Sequence, residues 1–186
     1  MTTGRAAEAA AKTNAPAAAV TNEVSVFPDK ALESAVRRQV FAKRDTDKPI
    51  TAADVANIST IQGARQGITN LAGIEHCKAL ASLELPGNRI SDLTPLTGLR
   101  QLQFVNIQSN RISDITALGT LPALQYIDLS GNQVDDPEPL AACTNLASIY
   151  LSNNRIYTIE TLTRLPRVVS LYLDGNKLRT IIGRSE

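Results

Sequence analysis

The sequence predicts an α/β repeat fold, a solenoid of stacked turns whose N-terminal end is covered by a helical cap. One observation is an asparagine that recurs every 22 residues, at Asn88, Asn110, Asn132, Asn154 and Asn176. A second is a pair of apolar residues, separated by one residue, before each asparagine, at 83/85, 105/107, 127/129, 149/151 and 171/173. Together they form the leucine-rich-repeat pattern L-x-x-L-x-L-x-x-N-x-I, with the short period typical of that class.

The spacing predicts how each repeat folds. Two apolar residues at period 2 point to one face of a short strand, and the later apolar residues of the repeat bring the chain back. Each repeat then forms one rung of a parallel sheet curved into a horseshoe, and stacked rungs bury a core that no single rung could bury. We expect the asparagine amides to bond backbone groups of their own and the neighbouring rung. Leaving such buried groups unpaired costs about 1–3 kcal/mol each, so the five residues are interpreted as a structural asparagine ladder.

Composition excludes several classes of partner. The chain has 186 residues, which suits one capped solenoid, and a net charge of +1, which gives no bias toward nucleic acid. No apolar run reaches the roughly 20 residues of a membrane helix, so no membrane span is expected. Cys77 and Cys143 occupy the same repeat position three repeats apart. At about 4.8 Å per rung they lie too far apart for a disulfide, and we expect both to be core residues.

The chain divides into four expected segments. They are an alanine-rich flexible tether at 1–24, a helical cap at 25–60, one degenerate and five 22-residue repeats at 61–182, and a tail at 183–186. The degenerate repeat has Gln66 at the asparagine position, whereas Ile61, Ile68 and Leu71 keep the apolar positions. No capping element is recognised after the last repeat, so we expect the last strand to form an open edge.

The cap is predicted to contain two helices. Residues 27–43 have apolar residues at four-residue spacing, with Pro28 in the first turn and basic residues near the end. Thr51 and Asp54 have the spacing of a capping box and predict a second short helix through 55–58. Two helices before the first rung would cover the open end of the core.

The segment from 27 to 90 resembles the N-terminal cap and first repeats of internalins, the leucine-rich-repeat surface proteins of bacteria. The likeness continues through the 22-residue repeats to about residue 181. The residues that carry it are Phe27-Pro28-Asp29, Leu32, Val36, Ile50-Thr51-x-x-Asp54, Ile68-x-x-Leu71-x-Gly73-Ile74 and Leu80-x-x-Leu83-x-Leu85-x-x-Asn88-x-Ile90. The cap is the discriminating part, because regulatory proteins of the nucleus use repeats of the same period.

The resemblance implies secretion or display on the surface of a bacterium, and a host or cell-surface protein as partner. The sequence departs from the family pattern because its repeats are few and neither an export signal nor an immunoglobulin-like domain is recognised in it. A role in host-cell invasion is therefore not inferred for this chain, and a cytoplasmic location remains an alternative.

Motifs for catalysis and for metal or cofactor binding are not recognised, so the chain is predicted not to be an enzyme. His76 is the single histidine, and with Cys77 it supplies too few ligands for zinc. Asp92, Asp114 and Asp136 recur at one repeat position. A regular column of carboxylates is typical of turn and helix capping, not of an acid–base pair.

The repeat pattern also predicts a binding surface. Residues that flank the core positions of each strand point the opposite way, onto the face of the sheet away from the core, here called the concave face. Four of the seven aromatic residues of the chain fall there, at Phe104, Tyr126, Tyr150 and Tyr172. With them lie three acids and an amide, Glu84, Asp128, Asp174 and Asn106. Exposed aromatic residues on a rigid surface are typical of protein interfaces.

A second candidate surface follows the asparagine ladder. It is a loop edge with the cations Arg89, Arg111, Arg155 and Lys177. We interpret it as a solvated edge, with contact to an acidic partner as the alternative. The predicted function is non-catalytic binding of a protein by the concave face. The alternatives are a glycan-binding module, which would use the same tyrosines, and a regulatory subunit that docks on an enzyme.

Overall fold

The computed structural model describes residues 24–179. Almost all of the predicted tether and all of the predicted tail lie outside the described residues. The chain forms two α-helices, α1 at Lys30–Arg37 and α2 at Ala52–Val55, followed by six strands. The strands are β1 at Thr60–Gln62, β2 at Ser82–Glu84, β3 at Phe104–Asn106, β4 at Tyr126–Asp128, β5 at Ser148–Tyr150 and β6 at Ser170–Tyr172.

The six strands form one parallel sheet in chain order. Neighbouring strands pair residues that occupy the same position in the repeat. Leu83 pairs with Val105, for example, and Val105 with Ile127, so residues 22 apart are direct partners. The middle residues of the first five strands are completely buried, whereas their flanking residues are mostly part-exposed on the opposite face. The predicted leucine-rich-repeat solenoid is therefore confirmed, and each column of side chains keeps one chemical environment along the sheet.

The asparagine ladder has the predicted bonding. The Asn110 side-chain amide donates to the carbonyl of Ile107 in its own rung, at 2.9 Å, and to that of Leu85 in the preceding rung, at 3.0 Å. Its carbonyl oxygen accepts the N–H of Ile90, also in the preceding rung. Asn88 bonds the degenerate first rung in the same way, through the N–H groups of Gln66 and Ile68. Each asparagine thus joins two rungs.

The residue before each ladder position adopts a left-handed backbone conformation, which ends the strand and turns the chain toward the core. Three of these residues are glycines, and three are Arg65, Ser109 and Asn153, with φ between 55 and 57°. The glycines alternate with the others, and a Cβ added at Gly131 would lie 3.3 Å from the Ser109 hydroxyl. The side chain of one rung therefore occupies the space that the next glycine leaves.

The loops opposite the sheet contain one-turn 3-10 helices that begin after a side-chain cap. The carboxylates of Asp92, Asp114 and Asp136 accept the backbone N–H two residues ahead, at 2.8–2.9 Å, as the capping interpretation predicted. Asn70 makes the same contact in the first repeat. Asn70 was not predicted because it is an amide in the degenerate repeat and does not belong to the recurring column of carboxylates.

The first helix of the cap begins later and is shorter than predicted. α1 covers Lys30–Arg37, and a separate 3-10 turn covers Phe41–Lys43, instead of one helix over 27–43. Pro28 lies outside the first turn because Asp29 is the N-cap, with one carboxylate oxygen accepting from Ala31 and Leu32. Its other oxygen accepts from the N–H groups of Thr69 and Asn70, so one residue both starts the helix and fastens it to the first repeat.

The second helix begins at the predicted capping box but is shorter than predicted. α2 covers Ala52–Val55 and ends at the first residue of the 55–58 segment. The capping-box residues are those predicted, with the Thr51 N–H donating to the Asp54 carboxylate at 2.7 Å. That carboxylate is also paired with Lys43, so it joins α2 to the 3-10 turn after α1.

The core runs from the cap through the rungs and is less complete at the last strand. Phe27, Leu32 and Val36 of the cap belong to the same buried cluster as the leucines of the repeats. Leu171 and Leu173 of the last rung are only partly buried, and Leu178 is exposed. Among the described residues, β6 pairs with one neighbour, β5.

Cys77 and Cys143 are buried free thiols, as expected from their repeat position. Burial raises the pKa of Cys77 to about 12 and that of Cys143 to about 11, so both stay protonated at neutral pH. None of the helices within residues 24–179 is long and apolar enough to cross a membrane.

Candidate protein-binding site

Four aromatic side chains form a continuous stack across β3–β6, here called the aromatic diagonal: Phe104, Tyr126, Tyr150 and Tyr172. The rings of Phe104 and Tyr126 are stacked, with centroids 4.2 Å apart and planes 9° apart. Those of Tyr150 and Tyr172 are stacked at 4.7 Å and 6°. Tyr126 and Tyr150 connect the two stacked pairs through a tilted contact, with centroids 5.3 Å apart and planes 39° apart. The sheet spacing explains the stack, because neighbouring strands lie about 4.8 Å apart.

The stacking decides which parts of the rings a partner can reach. Tyr126 and Tyr150 each have an aromatic neighbour on both sides, so they present ring edges and hydroxyl groups to solvent. None of the hydrogen bonds within residues 24–179 uses a hydroxyl of Tyr126, Tyr150 or Tyr172. Burial raises the pKa of Tyr126 above its usual 10.0, with Asp128 and Tyr150 adding to the rise. The phenol therefore remains a hydrogen-bond donor at neutral pH.

Asp128 lies beside the aromatic diagonal and is more buried than the sequence analysis expected. It is 8 % exposed. One carboxylate oxygen accepts the N–H of Ser130 at 2.9 Å. In the strand register it pairs with Asn106 on one side and Tyr150 on the other. A carboxylate at this position is flanked by side chains that carry no positive charge.

The other predicted members of the site lie around this centre. Glu84 is part-exposed and accepts a hydrogen bond from the Gln62 side chain at 3.1 Å. The Asn106 side chain accepts the N–H of Gln108 at 3.3 Å. Asp174 is exposed and follows β6. Gln62 was not predicted as a residue of this site, because only the five regular repeats were used to assign residues to the concave face.

The loop-edge column is separate from the aromatic diagonal. Arg89, Arg111, Arg155 and Lys177 have exposed side chains, and their backbone N–H groups bond to the preceding rung at 2.8–2.9 Å. The ion pairs within residues 24–179 involve other residues, so the neighbouring aspartates do not hold these four cations. Their regular placement comes from the backbone, and the charged ends remain in solvent.

His76 lies in a one-turn 3-10 helix away from the concave face, and its ring nitrogen is 3.9 Å from the Glu75 carboxylate. Within the described part of the chain, no three residues of the His, Cys, Asp or Glu types are grouped as metal ligands would be.

Comparisons with known proteins agree with this architecture. The family model described as Leucine Rich repeats (2 copies) matches residues 100–142. Internalin H of Listeria monocytogenes is 33 % identical over 66 residues, which are 36 % of this chain and 12 % of that protein. The crystal structure of the internalin InlF of Listeria monocytogenes matches with a TM-score of 0.78 and 26 % identity, over 87 % of this chain. The chain is an internalin-like leucine-rich-repeat protein.

The internalin-like chain corresponds to only part of these proteins. It covers 49 % of the InlF chain, and the match to Internalin H is shorter still. A further structure, internalin C2 of Listeria monocytogenes, matches 84 % of the internalin-like chain and 88 % of its own, with 27 % identity and a TM-score of 0.47. The match to InlF spans most of the chain, and the cap precedes the repeats as the resemblance implied.

Proposed function

We propose that the chain binds a protein partner through the aromatic diagonal on its concave face and performs no catalysis. The observation that carries the proposal is the continuous stack of Phe104, Tyr126, Tyr150 and Tyr172 on a rigid sheet. Aromatic residues bury a large area at little cost in side-chain entropy, and they are enriched among residues that dominate binding energy. Rings that are already stacked lose little further freedom when a partner binds.

The arrangement of the rings favours a protein over the alternative glycan ligand. Sugar rings stack on the faces of aromatic side chains, but one face of Tyr126 is stacked against Phe104 and one face of Tyr150 is stacked against Tyr172. The stacked faces are closed to a sugar ring, whereas ring edges and hydroxyl groups are left to a ligand. Such a surface suits a partner with backbone and side-chain hydrogen-bonding groups. An oligosaccharide array would test the alternative, and we expect no binding on it.

The relatives support the class of function and the location. Leucine-rich-repeat proteins of this kind bind other proteins and are in general not enzymes. The two Listeria relatives are named internalins, and we propose by analogy that this chain is secreted or displayed at the surface of a bacterium. A regulatory subunit that docks on an enzyme would use the same face, and detection of the chain in the cytoplasm of its source cells would favour it.

Site-directed photo-crosslinking tests the face directly. The photoreactive residue p-benzoylphenylalanine would replace Tyr150 in one variant and Tyr157 in the other. Tyr157 is the matched control, because it is the same residue type, is 51 % exposed and lies on the loop side of the fifth rung, outside the sheet. After irradiation with a panel of protein extracts, we expect a discrete adduct from position 150 and not from 157. Equal adducts at both positions, or adducts from 157 alone, would contradict the proposal.

A further inference from the structure

Asp128 is a buried carboxylate without a counter-ion among residues 24–179. The other buried carboxylate, Glu33, contacts both Lys30 and Arg37. Asp128 has the N–H of Ser130 as its hydrogen-bond donor, and none of the ion pairs within the described residues includes it. Buried charges in proteins are normally paired, because removing an ion from water without a partner is costly.

The second oxygen of this carboxylate remains open to the concave face. No buried side-chain oxygen of the described residues is both fully enclosed and unbonded. The oxygen of Asp128 that does not contact Ser130 is therefore reachable from solvent. Asp128 lies on β4, two residues after Tyr126, and its register partners are Asn106 of β3 and Tyr150 of β5. The open acceptor thus faces the position that a partner bound on the aromatic diagonal would occupy.

The charges around Asp128 indicate which kind of group can pair with its carboxylate. The concave-face positions of the five regular repeats, which are 82, 84 and 86 and their copies every 22 residues, contain no lysine or arginine, and Glu84 and Asp174 add further negative charge. A cation must therefore come from outside the sheet. Arginine fits better than lysine, because its guanidinium is less strongly hydrated and can bond a carboxylate with two N–H groups.

We infer that Asp128 is the charge-specificity residue of the concave face and pairs with an arginine side chain of the protein partner. The inference rests on the proposed function and adds the chemistry of the partner. It predicts a surface segment in which an arginine is flanked by residues that cover the ring edges of Tyr126 and Tyr150. The pair would lie near the centre of the interface, where water is excluded and such pairs contribute most to specificity.

Selection of peptides on the full chain tests the inference without knowledge of the natural partner. A random library of about twelve-residue peptides, long enough to cross the sheet at roughly 3.3 Å per residue, is selected on the wild-type chain. The best binder is then synthesised with arginine and with citrulline, its neutral isostere. Affinities for the wild type and for Asp128→Asn, Asp135→Asn and Tyr126→Ala are measured by calorimetry. Asp135 is the matched control, an exposed aspartate outside the strands.

We expect arginine to be enriched among the binders. Replacement of that arginine by citrulline and the Asp128→Asn substitution should each weaken binding about thirtyfold or more. The two changes together should weaken binding by less than the product of their separate effects, whereas Asp135→Asn should leave the affinity unchanged. Asp128→Asn should melt at the same or a higher temperature, because asparagine also accepts from Ser130 and removes an unpaired charge. A role in folding alone would instead lower the melting temperature.

Two outcomes separate this inference from the function on which it rests. Binders that lose affinity for Tyr126→Ala but bind Asp128→Asn normally would overturn the inference and leave the proposed function standing. Binders insensitive to both variants, or a library from which nothing is enriched, would overturn both.

Discussion

The rings of Tyr126 and Tyr150 are in contact, with centroids 5.3 Å apart, although the two residues occupy different columns of the sheet. In the strand register Tyr126 lies opposite Ser148, and Tyr150 lies opposite Asp128. The contact therefore crosses the register and joins two stacked pairs into one surface.

Tyr126→Ala should destabilise the fold more than Tyr172→Ala. Tyr126 contacts two rings and Tyr172 contacts one, and each aromatic pair contributes about 0.5–1.5 kcal/mol beyond area burial. We expect a loss of roughly 2 kcal/mol for Tyr126→Ala and about half of that for Tyr172→Ala, measured by urea unfolding. A double-mutant cycle that combines Tyr126→Ala with Phe104→Ala should give a coupling energy of about 1 kcal/mol between the two rings. Zero coupling would show that the stack contributes nothing to stability.

Asn132→Ala should destabilise a central rung more than Asn176→Ala destabilises the last one. The Asn132 side chain bonds the carbonyls of Ile107 and Leu129 and the N–H of Ile112, all buried. The three groups left unpaired predict a loss of roughly 2–4 kcal/mol. Asn176 makes equivalent bonds but is part-exposed, so water can replace them. Equal losses in urea unfolding would contradict the structural interpretation of the ladder.

Gly73→Ala should weaken the attachment of the cap, with Gly98→Ala as the matched control. Both glycines have positive φ, at 100 and 75°. A Cβ at Gly73 would lie 2.5 Å from the Val26 carbonyl and 2.7 Å from the Phe27 ring, whereas one at Gly98 meets nothing within 4 Å. We expect a cost of about 1 kcal/mol at Gly98 from backbone strain alone, and about 3 kcal/mol or more at Gly73. Similar melting temperatures for the two variants would show that Phe27 is not packed against the first repeat.

The cap should lose stability in acid through Asp29. Burial alone would raise the pKa of this carboxyl, but hydrogen bonds from Thr69, Leu32 and Asn70 outweigh it and hold the pKa below its usual 3.8. A lowered native pKa means that the contribution is fully present above about pH 4 and is lost as the pH falls through the native value. Asp29→Ala should therefore cost about 1–2 kcal/mol at pH 7, and the difference from wild type should be smaller at pH 3. Urea midpoints that differ equally at both pH values would contradict this linkage.

The repeats were predictable in detail because their signal is redundant. Residues such as Leu83, Val105 and Ile127 recur at one spacing, and parallel stacking requires residues at the same repeat position to be partners. The strand register, the asparagine ladder and the direction of the concave side chains all follow from that spacing. The same spacing also predicts that the Phe104–Tyr126 and Tyr150–Tyr172 pairs are neighbours.

The bounds of the cap helices and the burial of individual side chains were less predictable, because they depend on contacts that do not recur with the 22-residue repeat. Asp29 ends up as the N-cap, and α1 starts after Pro28, because the Asp29 carboxylate also bonds Thr69 and Asn70, some 40 residues away. Asp128 is buried beside its register partner Tyr150, and its position in the repeat does not reveal this burial. The diagonal contact between Tyr126 and Tyr150 likewise depends on the orientation of the two rings in space.

The affinity of the purified partner for matched tyrosine variants shows most directly whether the aromatic diagonal is the binding surface. Calorimetry with the protein identified by crosslinking would compare Tyr126→Ala, Tyr150→Ala and Tyr157→Ala, together with Arg111→Ala and Arg155→Ala on the loop edge. The account predicts about a thirtyfold loss or more for each of the first two, at roughly 2 kcal/mol apiece. It predicts little change for Tyr157→Ala and a small, salt-dependent change for the arginine variants. Normal binding by the two concave tyrosine variants, with loss of binding by the arginine variants, would place the interface on the loop edge and contradict the account.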